Sequence, residues 1–421
     1  MLRSLFSAIS GLQAHQTKMD TVGNNIANVN TVGYTSSTPV FEDTLSQVLR
    51  NGSAPTGTAG GTNPAQVGLG VKVAGITTNF SQGSTQSTGR SSDFMINGDG
   101  FFVTKAGNQQ LYTRAGSFNF DGTGRLVTPD GNLLQGWMAT NGTVDSNGPI
   151  KDLAVPFGQS LKPQASTAGE VSGNLSAEAN AATPAVPVQT QVTMYDPLGD
   201  AHQINYTFTP TGTANEWSVA VKAANGAALP TTPAAVTVSF DPTASPTNGK
   251  IVSPASQQFT FNASSIVPSW TGTITADLSK MTQFGGATTA MANSPVTGGG
   301  SAQGTLESFS LGNDGSITGV YSNGLRQTIG QLALANFANP GGLSKAGNSS
   351  YVVGDNSGAP AIGVAGAGGR GSLSAGALEM SNVDLAQEFT GLIIAQRGFQ
   401  ANSKVITTSD QILNELVNMK Q

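Results

Sequence analysis

The chain has 421 residues and a formal net charge of −5, with only 10% of residues charged. It carries no basic face or basic run, which argues against nucleic acid or an anionic membrane surface as a partner. It has no cysteine, which excludes disulfides, thiolate metal sites and cysteine nucleophiles.

The first predicted element is a long amphipathic helix from Leu2 to Val29. One heptad column holds Leu5, Leu12, Met19 and Ile26; a second holds Leu2, Ile9, Gln16 and Gly23. The helix should end between Val29 and Gly33, where Asn28, Asn30 and Gly33 tolerate turn geometry. The opening residues show no apolar h-region followed by a small-residue cleavage site, so an extracellular location would require a route without a cleaved signal. No stretch reaches the roughly 18–20 apolar residues of a membrane span.

Tyr34 to Leu49 should continue extended or partly helical. Residues 51–66 are low-complexity Gly, Thr, Ala and Pro and read as a flexible or extended linker. Val67, Leu69, Val71 and Val73 then alternate onto one face and open a β region. Asn97-Gly98-Asp99-Gly100, between two apolar runs, is a hairpin signal. The Asp-Gly pairs at Asp121 and Asp130 lack calcium-loop spacing and read as turns.

Composition shifts after Pro156. Strands at Gln189–Tyr195, Gln203–Phe208 and Trp217–Val221 lie between segments rich in Ala, Thr, Ser and Pro, so 157–285 reads as an inserted β-barrel or sandwich. The first β pattern resumes near Val296 and includes Ile317–Tyr321 and Gln327–Phe337. A Gly-rich stretch, 363–376, leads to a last helix from Asn382 to Met419. Ser381 or Asn382 is expected to cap it, with Asp384 and Glu388 near its positive end. Its full apolar column is Leu385, Leu392, Phe399, Ile406 and Leu413. The companion column decays from Phe389 to Gln396, Ser403 and Asp410, and recovers at Val417.

Each terminal helix thus has one full apolar column and one partly polar one. A free two-helix coiled coil wants both apolar. The pair is underfilled alone and better suited to packing among many copies. His15 and His202 have no acidic ligand motif around them and read as solvated or satisfied side chains.

The wording of the ends is more specific than their periodicity. Ser4, Ala8, Gly11 and Leu12, followed by Gly23-Asn24-Asn25-Ile26-Ala27-Asn28 and on to Gly33-Tyr34, resemble the N-terminal signature of the bacterial flagellar rod and hook axial proteins. Leu378-Glu379, Ser381–Leu385 and Ala395–Asn402 resemble the matching C-terminal signature. Val67–Ala74, Gly89–Asp93, Gly100–Phe102 and Gly330–Phe337 resemble hook members of that family. Thr35, where relatives often carry lysine, and the longer 51–66 linker depart from the pattern.

The resemblance implies an α+β multidomain fold. Long terminal α-helices would form a coiled-coil-like inner layer, with two mainly-β domains nested by insertion. The expected divisions are 1–33 and 379–421 for the helices, 34–66 and 363–378 for a connector, 67–156 and 286–362 for the first β domain, and 157–285 for the outer one. It also implies a non-enzymatic subunit, without cofactor, of a curved flexible hook that transmits motor torque from rod to filament. A distal rod protein is the alternative within the family, although rod proteins lack a large outer domain. A secreted polysaccharide-acting enzyme would need paired carboxylates in a cleft, and a fibre or adhesin fits heptads at both ends less well than a tube does.

The implied partners are further copies in a helical homopolymer, the distal rod protein, the hook cap, the hook–filament junction proteins and the flagellar type III export apparatus. Neither nucleic acid nor membrane insertion is expected, and the implied location is the extracellular hook and basal body. The implied assembly residues are Leu5, Ile9, Leu12, Met19, Asn24, Asn25, Ile26 and Asn28 in the first helix. In the last they are Leu385, Phe389, Leu392, Gln396, Arg397, Phe399, Ile406, Leu413 and Leu416.

Overall fold

A computed structural model describes residues 2–55, 57, 60–158, 160–180, 186–243, 248–294 and 298–419. The structure is mostly β, with a helix at each end, Leu2–Ala27 and Leu385–Asn418. At 1.5 Å per residue these are about 39 and 51 Å long. The chain divides into two compact units: Met1–Pro156 with Phe309–Gly319 and Gln327–Gln421, and Phe157–Ser308 with Val320–Arg326.

In the first unit the terminal helices pack against each other, and Ser37–Asp43 pairs antiparallel with Val71–Thr78 beside the N-terminal helix. Ser46–Arg50 pairs antiparallel with Ala65–Gly68, and Ser53 bridges Thr62 through two backbone bonds and a 2.9 Å hydroxyl pair. The expected flexible linker is therefore a β-hairpin. Its low-complexity composition hid the pairing, because Thr, Ala and Gln supply ladder bonds without an apolar alternation. Residues 56, 58 and 59 at its tip lie outside the described residues.

The apolar core of this unit joins Phe101–Ala106, Gln109–Thr113, Leu133–Met138 and Leu334–Asn336. Tyr112 meets Phe337 edge-on with ring centroids 4.9 Å apart, and Phe101 meets Phe337 at 5.8 Å. Such edge-to-face pairs add to burial the attraction between ring edge and ring face. The expected Asn-Gly-Asp-Gly hairpin does not form. Phe94–Asn97 pairs with Ser372–Ala375, whereas Phe101–Ala106 pairs with Gln109–Thr113. Gly98 (φ 106°) and Gly100 (φ 136°) take backbone angles closed to other residues and send the chain from one sheet to another.

The second unit holds two five-stranded sheets. One is an antiparallel series of Val188–Tyr195, Ala201–Pro210, Glu216–Ala223, Val236–Phe240 and Ile251–Ser253. The other orders Thr231–Thr232, Gln258–Asn262, Thr273–Thr282, Ala168–Asn174 and Met291–Asn293, with Ala168–Asn174 parallel to Thr273–Thr282. Alternate residues Ile204, Tyr206, Phe208, Trp217, Val219 and Val221 enter one core with Phe259, Phe261, Trp270 and Leu278, as the period-2 pleat requires.

Candidate assembly surface

The two terminal helices run antiparallel in a fixed register. Gly11 faces Asn402, His15 faces Gly398, Val22 faces Gly391 and Asn25 faces Glu388. Each step along one helix is matched by an equal and opposite step along the other. At three of these four steps a glycine on one helix faces a larger side chain on the other. Ala8, Ala14 and Ala395 are also buried. A Cβ added at Gly11 would lie 2.8 Å from Asn402 Nδ2, and one at Gly398 would run into the His15 ring. Asn402 and His15 thus occupy the space that the facing glycines leave open.

At the base of the pair, Asn25 is 1% exposed. Its Nδ2 donates to Ser37 O (2.8 Å) and Glu388 Oε1 (2.9 Å); its Oδ1 accepts from Ser37 N and the Tyr34 hydroxyl, both at 3.1 Å. All four hydrogen-bonding positions of the amide are used. One side chain thus ties together the first helix, the turn, the first strand and the last helix.

A second anchor lies next to it. Arg114 and Glu379 form a buried ion pair at 3.1 Å. Arg114 also donates to Gly98 O, Gly100 O and Phe80 O, and Gly83 N donates to Glu379 Oε1. Burial raises the Glu379 carboxyl above the usual range, and Arg114 opposes that shift. The Glu379 carbonyl accepts from Gly33 N (2.8 Å). Gly33 takes φ 65°, and a Cβ there would strike the Ala115 backbone.

The last helix is capped by Asp384, not by Ser381 or Asn382. Asp384 Oδ1 accepts from Ala386 N (2.9 Å) and Gln387 N (3.3 Å). Asn382 instead spans three chain segments, donating to Asn79 O and Ser81 O and accepting from Ser36 N.

The sequence-predicted residues fall in three places. Leu5, Leu12, Met19, Ile26, Leu392, Phe399 and Ile406 are half-buried alongside the seam. Ile9, Leu385, Phe389, Leu413, Gln396 and Arg397 are exposed, Phe389 by 50%. Asn24, Asn25 and Asn28 meet at the base, where Asn28 Nδ2 donates to Asn24 Oδ1 (2.7 Å). The side chains of Leu416 and Val417 lie outside the described residues. Sequence reasoning missed the exposed Phe6, Ile393, Ile394, Val405 and Ile412. It also missed the glycine seam and the Arg114–Glu379 pair. The signal for the seam was present: Ala8, Gly11 and His15, and Gly391, Ala395, Gly398 and Asn402, repeat at heptad spacing. The reading followed large side chains and passed over small ones at the same period.

Among the described residues, no helix is long and apolar enough to cross a membrane.

Four family models match the chain. They are a flagella basal body rod protein model at residues 5–35, the flagellar hook protein FlgE/F/G D1 domain at 95–173, the flagellar basal body protein FlaE D2 domain at 174–295, and the flagellar basal body rod FlgEFG protein C-terminal model at 374–419. The flagellar hook protein FlgE of Treponema pallidum is 40% identical, and that of Borreliella burgdorferi 38%, each alignment covering 100% of both chains. The flagellar basal-body rod protein FlgG of Bacillus subtilis is 34% identical, again over 100% of both chains.

Proposed function

Because the chain belongs to the flagellar hook protein FlgE family, we propose that its terminal helices form the inner, coiled-coil-like layer of a helical homopolymer. The protein is a structural subunit of the bacterial flagellar hook, and its family is not an enzyme family. The observation that carries the assembly reading is a row of exposed apolar side chains along the two terminal helices: Phe6, Ile9, Phe389, Ile393, Ile394 and Val405. A self-sufficient helix pair would cover them. Burying one such side chain contributes about 1.5–3 kcal/mol, so a row of them favours contact with neighbouring copies. The Ser46–Arg50 hairpin adds exposed Leu45, Val48, Leu49 and Val67. A lone two-stranded ribbon is marginal in water, and a neighbouring copy would stabilise it.

In this reading the residues predicted from sequence act at two levels: the half-buried set holds the helix pair and the exposed set joins copies. The β domains are nested in sequence, one inserted in the other. Their low charge favours weak contacts that exchange as a curved, torque-bearing tube bends. The distal rod protein, hook cap and hook–filament junction proteins meet the ends of the tube, and subunits reach it through the type III export apparatus. A distal rod role is the second reading, supported by the weaker full-length match to a rod protein.

The test is Phe389→Ser with Ile393→Ser in purified full-length protein. Expected are an unchanged β circular-dichroism signal and no tubes by electron microscopy. Normal curved tubes from the double variant would overturn the assembly reading, and straight tubes from the unaltered chain would favour the rod reading.

A further inference from the structure

A cavity of about 350 Å³ opens beside the base of the N-terminal helix. Asn24 and Asn28 line it from the helix, Tyr34 from the turn, and Lys345, Asn348 and Ser349 from the strand pair Ser344–Gly347 and Ser350–Val352 and the turn between them. Several acceptors there are already used. Asn24 Oδ1 accepts from Asn28 Nδ2, Asn28 Oδ1 accepts from Thr31 Oγ1 (3.0 Å), and Ser349 O accepts from Thr113 Oγ1 (2.8 Å). The Asn24 amide N–H groups and most of the Lys345 ammonium protons remain.

Lys345 Nζ donates once, to Ser37 Oγ (2.9 Å), and lies 5.3 Å from the Tyr34 ring centroid. Burial lowers its pKa from the ordinary lysine value. Among the described residues no carboxylate lies within ion-pair distance of it. Asp20 lines an adjoining cavity of about 460 Å³ that Asn24 and Lys345 also border. Lys345 is exposed on its strand, and an accessible cation among donors is complementary to an acceptor that carries negative charge.

We propose that this cavity is a socket for a carboxylate side chain from a second copy of the chain, held by Lys345 Nζ and Asn24 Nδ2. The inference rests on the reading of the chain as a polymer subunit. Charge complementarity selects the occupant: copies bring 24 acidic against 19 basic side chains, and the cavity borders the helix whose outward side chains are assigned to contacts between copies.

Carbodiimide treatment of polymer from the full-length protein tests this, since the reagent joins an amine to a carboxylate already in contact. The expected product is an amide between Lys345 and an Asp or Glu peptide of another copy, shown to be intermolecular by mixing isotopically labelled and unlabelled chains. Lys345→Arg should retain polymer and lose that cross-link. Lys345→Met should raise the critical concentration for polymerisation about tenfold at low salt, with the difference shrinking at high salt. Polymer in which Lys345 stays unlinked, or links only within its own chain, overturns the socket. So does a Lys345→Met critical concentration equal to that of the unaltered chain at every salt. Failure of the unaltered chain to polymerise at all would instead strike the assembly reading.

Discussion

Asn25 Nδ2 lies 2.9 Å from Glu388 Oε1, and this bond links the first helix to the last. It sits at the end of a register that also sets Val22 against Gly391, His15 against Gly398 and Gly11 against Asn402. The polar contact fixes one point of the antiparallel alignment, and larger side chains seated against glycines carry the register along the seam.

Asn25→Ala should therefore destabilise the base of the helix pair. It strands Ser37 N and O, the Tyr34 hydroxyl and one Glu388 bond. Each buried group left unpaired costs about 1–3 kcal/mol, and water reaching the site offsets part of that. We expect a net loss of about 2–4 kcal/mol, read as a lower urea midpoint and faster proteolysis near residues 28–37. Asn25→Asp keeps the acceptors but sets a carboxylate against Glu388, so its defect should ease on acidification.

Gly398→Ala separates helix propensity from packing. Alanine favours an exposed helix by about 1 kcal/mol over glycine, yet here its Cβ meets the His15 ring. The isolated C-terminal peptide should gain helicity, while the full chain loses polymerisation. Adding His15→Ala makes room and should restore much of the assembly. A single variant that polymerises normally would show that the seam tolerates a wider spacing.

The Arg114–Glu379 pair predicts a pH dependence. Burial raises the Glu379 carboxyl in the folded chain. A carboxyl raised on folding contributes stability that is complete below its unfolded value, about 4.3, and is lost as pH rises through the folded value. The stability of the unaltered protein minus that of Glu379→Gln should accordingly be most favourable at the acid end and shrink as pH increases. Arg114→Met removes the cation that opposes the shift, so it should move the loss to higher pH. Urea midpoints measured across that range decide it; a difference that grows with pH would contradict the assignment.

The second unit carries a closed apolar core of its own, from Val171 to Met281. Replacing Phe157–Ser308 with a short Gly-Ser link should leave tube growth largely intact and alter hook curvature, giving straight or irregular tubes by electron microscopy and poor spreading in soft agar. Normally curved hooks with full motility would show that this unit does not set the bend.

The sequence by itself determined the two terminal helices, the β character of the chain between them, and the family. Heptad spacing and signature wording are local properties, written over a few turns. The first helix ends at Ala27, two residues before the expected Val29–Gly33, with Asn28 in the turn that follows. Which face of each helix meets the other was decided only by tertiary structure. Leu5 and Leu12, or Leu392 and Phe399, satisfy a heptad as well as Gly11 and Gly398 do. Only the fit of Asn402 and His15 against the facing glycines selects that face. The Asn97–Gly100 turn misled because a hairpin and a crossing between sheets use the same glycines, and the choice depends on Ser372–Ala375, far along the chain. Arg114 and Glu379 are likewise remote in sequence, and each alone reads as an ordinary charged side chain until folding buries both.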